Sequence, residues 1–207
     1  VKEQQTMKRP NRFLKQAMLG ACLKIAKKYA DRWKLMDAAF AAATVKGWVA
    51  EFGVLKGKSL REIAKRIRPD IVHGFDSFDG LQEEWAGKPV GALKLRESVK
   101  KRIVFPPNSE MHRGIVQETV PPFVVAQPRP ARLLHIDTDT YTPAKAILEA
   151  CNEKIVPGTV IIFDEYWSYP GWEEHEARAF CEWLMRENRN AVPIGMCKWR
   201  LAVKVVC

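Results

Sequence analysis

The sequence predicts an α/β domain in which a mostly parallel β-sheet is covered by helices on both faces and ends in an antiparallel hairpin. Three observations lead there. Short apolar runs alternate with amphipathic segments from residue 46 onward, the pattern of parallel strands joined by helical crossovers. The last two apolar runs, "AVPIGMC" and "RLAVKVV", are separated only by Lys198-Trp199, too little chain for a crossover but enough for a hairpin turn. Acidic and glycine residues gather just after several of the strand-like runs, where open α/β sheets bind ligands.

Each element follows from its local pattern. Residues 11–45 place apolar groups at three- and four-residue steps, in "RFLKQAMLGACLKIAKKYA" and "RWKLMDAAFAAATV", and are expected to be helical throughout. "GWVAEFGV" (47–54) reads as the first strand, "KSLREIAKRIR" (58–68) as an amphipathic helix and "DIVHGFDSF" (70–78) as the second strand. Residues 79–100 carry Gly80, Gly87, Pro89 and Gly91 and read as loop with one helix, a lid or an ordinary insertion. A weaker third strand is expected near 110–115. "ARLLHIDTD" (131–139) is a buried strand, followed by a helix over 142–155 with Pro143 in its first turn. "PGTVIIFDEY" (157–166) is the next strand, and 172–188 a helix whose first turn is acidic, which favours the helix dipole.

At 207 residues, 47% hydrophobic and 28% charged, the chain suits one domain with a full core. Residues 1–45 are expected to form an N-terminal helical extension that covers a ligand pocket or makes a homodimer contact, and 46–207 a single globular unit. No apolar run is long enough to span a membrane, and no apolar core of signal type follows the basic N-terminus. Cys22, Cys151, Cys181, Cys197 and Cys207 are odd in number and scattered, with no C-x-x-C pair. That predicts reduced thiols in the cytoplasm and argues against a disulfide framework or a zinc–thiolate site. The net charge of +10 is spread at helical spacings, which suits solvated faces better than a nucleic-acid surface. An anionic substrate would account for it equally well.

The stretch "EFGVLKGKSL" (51–60) raises the central question. Gly53-Val54-Leu55-Lys56-Gly57-Lys58-Ser59 approaches a phosphate loop, and Asp164 in "VIIFDE" would be its Mg²⁺-bearing acid. But the nucleotide loop has four residues between its glycines, and this one has three. Glu51, at the strand tip, would also face a polyanion. A ligand carrying positive charge removes the conflict. S-adenosylmethionine has a sulfonium and an ammonium, the glycines let the backbone approach it, and Asp76, with Ser77 beside it at the end of the second strand, suits the ribose hydroxyls. The nicotinamide fingerprint G-x-G-x-x-G is absent.

Asp137, Asp139, Asp164 and Glu165 put four carboxylates at neighbouring strand ends, where they repel unless a proton or cation relieves them. A hard divalent ion such as Mg²⁺ fits oxygen donors of this kind. It would acidify a substrate hydroxyl, with Asp139 or Asp137 as the base. Asp139 could instead cap the following helix. His135 reads as a core histidine with a hydrogen-bond partner, His112 as a surface residue in preference to a second candidate base, and His175 as either a cap neighbour or a lining residue of the acceptor pocket. Trp167, Tyr169 and Trp172 would either stack an acceptor or simply pack.

Taken together, "VAEFGVLKGKSL", "GFDSFDGLQEEW", "RGIVQETVP", "LLHIDTDTYTPAKAILEA" and "PGTVIIFDEY" resemble the macrocin-type O-methyltransferases, from about residue 33 to about residue 185. The D-S-F-x-G-L and I-D-x-D-x-Y blocks are the specific parts. The resemblance implies a Rossmann-like class I methyltransferase fold, with a mostly parallel seven-stranded sheet and a C-terminal antiparallel hairpin, and Mg²⁺-assisted methylation of a sugar hydroxyl. It implies that Glu51, Gly53 and Ser59, with Val54 and Gly57 between them, line the methionine end of the donor. Asp76 and Ser77 would sit at the ribose, Gln117 at the adenine, and Asp137, Asp164 and Glu165 at the metal, Asp137 also facing the donor. Glu165 departs from the family's Asp-Asp-Tyr by one methylene. The alternatives are a P-loop-like NTPase or kinase and a methyltransferase-fold protein that binds nucleic acid.

Overall fold

The sheet grows outward from β1 (Trp48–Phe52), whose five residues are all buried. The structure is a computed structural model and describes residues 25–207. To one side of β1 lie β2 (Val72–Asp76) and β3 (Ser109–Arg113). To the other lie β4 (Ala131–Ile136), β5 (Val160–Phe163), β7 (Arg200–Val205) and β6 (Ala191–Cys197), giving the order β3-β2-β1-β4-β5-β7-β6. All pairings from β3 to β5 are parallel, and β7 is antiparallel to both β5 and β6. This is the expected Rossmann-like sheet with its terminal hairpin. The order reverses between β1 and β4, and that switch point opens the crevice in which such sheets bind ligands.

Helices α1 (Arg32–Ala42) and α2 (Lys58–Ile67) cover one face; α4 (Val116–Ala126), α5 (Tyr141–Ala150) and α6 (Glu176–Arg186) cover the other. A short α3 (Glu97–Lys100) interrupts the long loop after β2. In α2, Leu60, Ile63, Ala64 and Ile67 fall on one stripe and are buried, and Pro69 bars its extension. On the opposite face Phe52, Phe75, Phe123, Ile136 and Phe163 form a continuous core. Helix α4 was not anticipated, because Pro121 and Pro122 lie inside it, where one proline alone costs ~3 kcal/mol. Burial of Val116, Val120, Phe123 and Val124 along one side overrides the propensity.

The helical pattern expected throughout 11–45 is broken. Residues 11–24 lie outside the described part. Residues 26–30 are not helical, and Lys28 instead forms a parallel bridge with Met196 on the outer side of β6. Tyr29 N–H donates to Met196 O and Met196 N–H to Lys27 O, both at 2.8 Å. Gly195 permits this approach, since a Cβ there would sit 2.3 Å from Tyr29 Cε2. The chain restarts as α1 because Asp31 caps it, its Oδ1 accepting from Trp33 and Lys34 N–H at 2.8 and 3.0 Å. Helix α6 also begins later than expected, after a 3₁₀ turn at Trp172–Glu174. No helix among the described residues is long and apolar enough to cross a membrane.

Candidate active site

A cleft of about 290 Å³ opens at the carboxyl ends of β1, β2, β4 and β5, near the lower end of the roughly 300–1,000 Å³ usual for small-molecule pockets. Of the residues singled out in the sequence, Gly53, Asp76, Ser77, Asp137, Asp139 and Glu165 line it. Glu51, Val54, Gly57, Ser59, Gln117 and Asp164 do not line it.

The glycine turn is shaped by two neighbours. Gly53 has φ +88°, and a Cβ on it would lie 1.7 Å from Asp137 O, so only glycine lets β1 and β4 end this close together. The turn's amides are already engaged. Val54 and Leu55 N–H donate to Asp76 Oδ2 at 2.8 and 2.6 Å, and Gly57 N–H donates to Val54 O. A phosphate seated here would displace or face the Asp76 carboxylate, which removes the physical basis of a phosphate loop. Asp76 Oδ1 accepts from Phe78 N–H at 2.6 Å. With about two lone pairs per oxygen, Oδ1 keeps one for a ligand hydroxyl, not the pair expected for both ribose hydroxyls.

Beneath the cleft a buried chain of charges crosses the sheet. Glu51 is fully buried; its Oε1 is 2.9 Å from His135 Nδ1, and its Oε2 has no partner. His135 Nε2 lies 3.5 Å from Asp164 Oδ1, and Arg200 completes the chain by donating to both Asp164 oxygens. Burial alone would lower the His135 pKa, but the bonds to Asp164 and Glu51 outweigh it and push it up to about 10. His135 is thus a core histidine with partners on both sides. Asp164 is held well below the usual carboxylate range: burial opposes ionisation, but His135 and Arg200 prevail.

For the remaining acids nearby cations offset burial only in part. Burial, then the charge of Asp164, raises Asp137 well above its usual value and Asp139 to about 7. Burial and Asp137 raise Glu165 likewise. Glu165 Oε2 is buried without a partner, and Asp137, Asp164 and Glu165 offer ligand atoms within 4.8 Å of one another. Asp139 does not cap α5, whose N-cap is Thr140; it sits at φ +64° on the cleft wall.

Two residues that organise the site were not legible as such in the sequence. Glu176, the first residue of α6, is fully buried. Its Oε1 accepts from Thr138 and Asp139 N–H at 3.1 Å and its Oε2 from Glu165 N–H at 3.2 Å. It ties the loop after β4 to the loop after β5. Glu83, in the long loop, accepts from Thr142 N–H at 3.0 Å and so anchors that loop over α5. Trp85 of the same loop is buried against Tyr169, ring centroids 5.7 Å apart. Residues 79–95 therefore form a wall of the cleft, with Leu81, Gln82 and Lys88 facing it. Gln117 pairs with Gln82 through Nε2–Oε1 at 2.6 Å. Tyr169 packs, its hydroxyl donating to Glu165 O, and Trp167 Nε1 donates to Lys198 O.

Residues 50–166 match a family described as methyltransferase domain. Among solved structures the chain is similar to CalS11, a calicheamicin methyltransferase, at TM-score 0.69 and 20% identity over 95% of this chain and 93% of that one. It is similar to the O-methyltransferase NovP at 0.61 and 18% over 84% and 80%. The mycinamycin-pathway methyltransferase MycE, solved with Mg and SAH, matches at 0.56 and 14% over 84% of this chain and 48% of that one. No curated protein sequence matches the chain significantly.

Proposed function

The chain belongs to the methyltransferase-domain family, and from that premise we propose that it is an S-adenosylmethionine-dependent O-methyltransferase of the macrocin type, assisted by Mg²⁺ and acting on a hydroxyl of a sugar or small glycosylated metabolite. The observation that carries the donor assignment is how the carboxylates meet the glycine turn. The glycine turn has the amides of Val54 and Leu55 spent on the Asp76 carboxylate, and Glu51, two residues before Gly53, keeps a buried Oε2 without a partner, an arrangement suited to a cation and hostile to a polyphosphate. Glu51, Gly53, Val54, Gly57 and Ser59 would shape the methionine end. Asp76 and Ser77 would hold the ribose through one hydroxyl, and Gln117, with Gln82, would border the adenine.

The unpaired oxygen of Glu165 and the raised Asp137 carboxyl fit a hard cation. Asp137 and Glu165 would hold it with Asp164, whose carboxylate the ion would share with Arg200. When bound, the donor supplies an electrophilic methyl group and the ion a Lewis acid for the acceptor hydroxyl. This chain's own part is to align the acceptor with the methyl and to take the hydroxyl proton. Asp139, titrating near 7, suits a base at neutral pH, with Asp137 as the other candidate. The loop over 79–95 would exclude water.

The division into an extension over 1–45 and a catalytic unit over 46–207 belongs to the same proposal, as do a homodimer and a cytoplasmic location. Leu35 and Met36 of α1 pack into the core shared by β1 and β5. Cys151, Cys181, Cys197 and Cys207 carry free thiols, as a reducing compartment allows; Cys22 lies outside the described residues. The test is calorimetric titration with S-adenosylhomocysteine and with ATP, each in Mg²⁺ and in EDTA. Micromolar binding of the first and none of the second is expected; Mg²⁺-dependent ATP binding would overturn the assignment.

A further inference from the structure

A second group of ligand-type side chains lies apart from the cleft, on β2 and on β3, the outermost strand of the sheet on that side among the described residues. β2 and β3 run parallel in a register that pairs His73 with Glu110 and Phe75 with His112. Paired residues share a face and side chains alternate along each strand, so His73, Glu110 and His112 converge on the face that Phe123 covers. His73 Nδ1 and His112 Nε2 are 3.4 Å apart. Glu110 spans both, Oε2 3.7 Å from His73 Nδ1 and Oε1 3.8 Å from His112 Nε2.

Those distances describe a poor hydrogen bond but a good chelate. An N–H donor bond has its heavy atoms about 2.7–3.2 Å apart, and this pair exceeds that range. Two nitrogens 3.4 Å apart, each about 2.05 Å from a common ion, subtend roughly 110° there, close to tetrahedral. We propose that His73, His112 and Glu110 form a binding site for a first-row divalent metal of borderline softness, Zn²⁺ above all, separate from the carboxylate cluster of the cleft. Two imidazoles and one carboxylate select such ions over Mg²⁺, which prefers oxygen alone.

The surroundings suit the role. His112 stacks on Phe75 at 4.4 Å and 12°, and Phe123 lies 4.6 Å from the His73 ring, so both imidazoles are oriented before any ion arrives. Burial holds both rings below the usual histidine pKa, which keeps their nitrogens unprotonated as ligation requires. The Glu110 side chain, 58% exposed, is free to close the short remaining distance, and water would complete the coordination.

The experiment is calorimetric titration of the full chain with Zn²⁺ in a large excess of Mg²⁺, which keeps the cleft carboxylates from competing. Co²⁺ absorption in the visible serves as an independent reading. One Zn²⁺ per chain is expected. His112→Gln should weaken it at least tenfold and abolish the tetrahedral Co²⁺ band, and Glu110→Gln, a change on the surface that spares the fold, should weaken it several-fold. Absent Zn²⁺ binding, or affinity unchanged in both variants, would overturn the site and leave the two histidines as a packed pair. Neither outcome depends on the methyl-donor assignment.

Discussion

Arg200 meets Asp164 as a bidentate pair, Nε 2.6 Å from Oδ1 and Nη2 2.6 Å from Oδ2. The antiparallel register explains the meeting: Leu201 of β7 lies opposite Phe163 of β5, so the residue before Leu201 faces the residue after Phe163. The acidic cluster therefore contains a fixed cation of its own. It neutralises Asp164 and leaves Asp137 and Glu165 as the carboxylates in need of a proton or metal.

Arg200→Met should lower stability by about 3–5 kcal/mol, the usual cost of stripping one partner from a buried ion pair. Urea denaturation measures it. A loss below about 1 kcal/mol would mean that His135 alone satisfies Asp164.

Gly53→Ala should prevent folding or cost more than about 4 kcal/mol, because the added methyl would collide with backbone rather than with a movable side chain. Gly87→Ala has a similar backbone conformation, φ +78°, but open space around it. It should cost only about 1–2 kcal/mol, the penalty of left-handed backbone alone. Equal melting temperatures for the two variants would refute the close contact.

Glu176→Gln keeps the size of the side chain but turns one of its two acceptor oxygens into a donor. At least one of the amides of Thr138, Asp139 and Glu165 then loses its partner, at about 1–3 kcal/mol. Because the loops after β4 and β5 are joined through this carboxylate, affinity for S-adenosylhomocysteine should fall as well. Thermal melting and calorimetry read the two effects separately; an unchanged affinity would show that the loops keep their positions without it.

Stability should depend on pH in a direction the buried acids set. Asp139 titrates near 7 when folded instead of 3.8, so its contribution is complete below about 4 and is lost as the pH climbs through 7. Asp137, Glu165 and Glu176 are raised too and act in the same sense. His135 adds a contribution lost between 6.5 and about 10. Asp164, lowered, works the other way, but only in strong acid. In EDTA the melting temperature should therefore fall from pH 5 to pH 9. Added Mg²⁺ should raise it more at pH 8 than at pH 5, because a bound ion replaces the protons. A flat profile in EDTA would contradict the buried charges.

Much of the architecture could be read from local pattern because it is locally determined. The Lys198-Trp199 turn allowed nothing but a hairpin, and the Leu60–Ile67 stripe nothing but a helix against the sheet. The acids at the strand ends were visible for the same reason. What could not be read is what depends on register. Nothing near Arg200 in the chain points to Asp164, and nothing near Glu176 points to the amides of Thr138 and Glu165. Read alone, the acidic start of that helix suggests only a favourable dipole. Helix α4 was hidden differently, by prolines whose local preference burial overrides.

The short bridge at Lys28 also bears on how the protein behaves at high concentration. An open sheet ends in two strands with unsatisfied backbone groups, and such borders invite pairing with another molecule. Here the border at β6 is covered at one point by the chain's own Lys27–Tyr29, bonded to both the N–H and the C=O of Met196. The border at β3 is short and reads Ser-Glu-Met-His-Arg, polar at four positions of five. The β6 rim is apolar, "AVPIGMC", but Pro193 and the bridge at Met196 interrupt it, so each rim carries a feature that works against fibrous self-association.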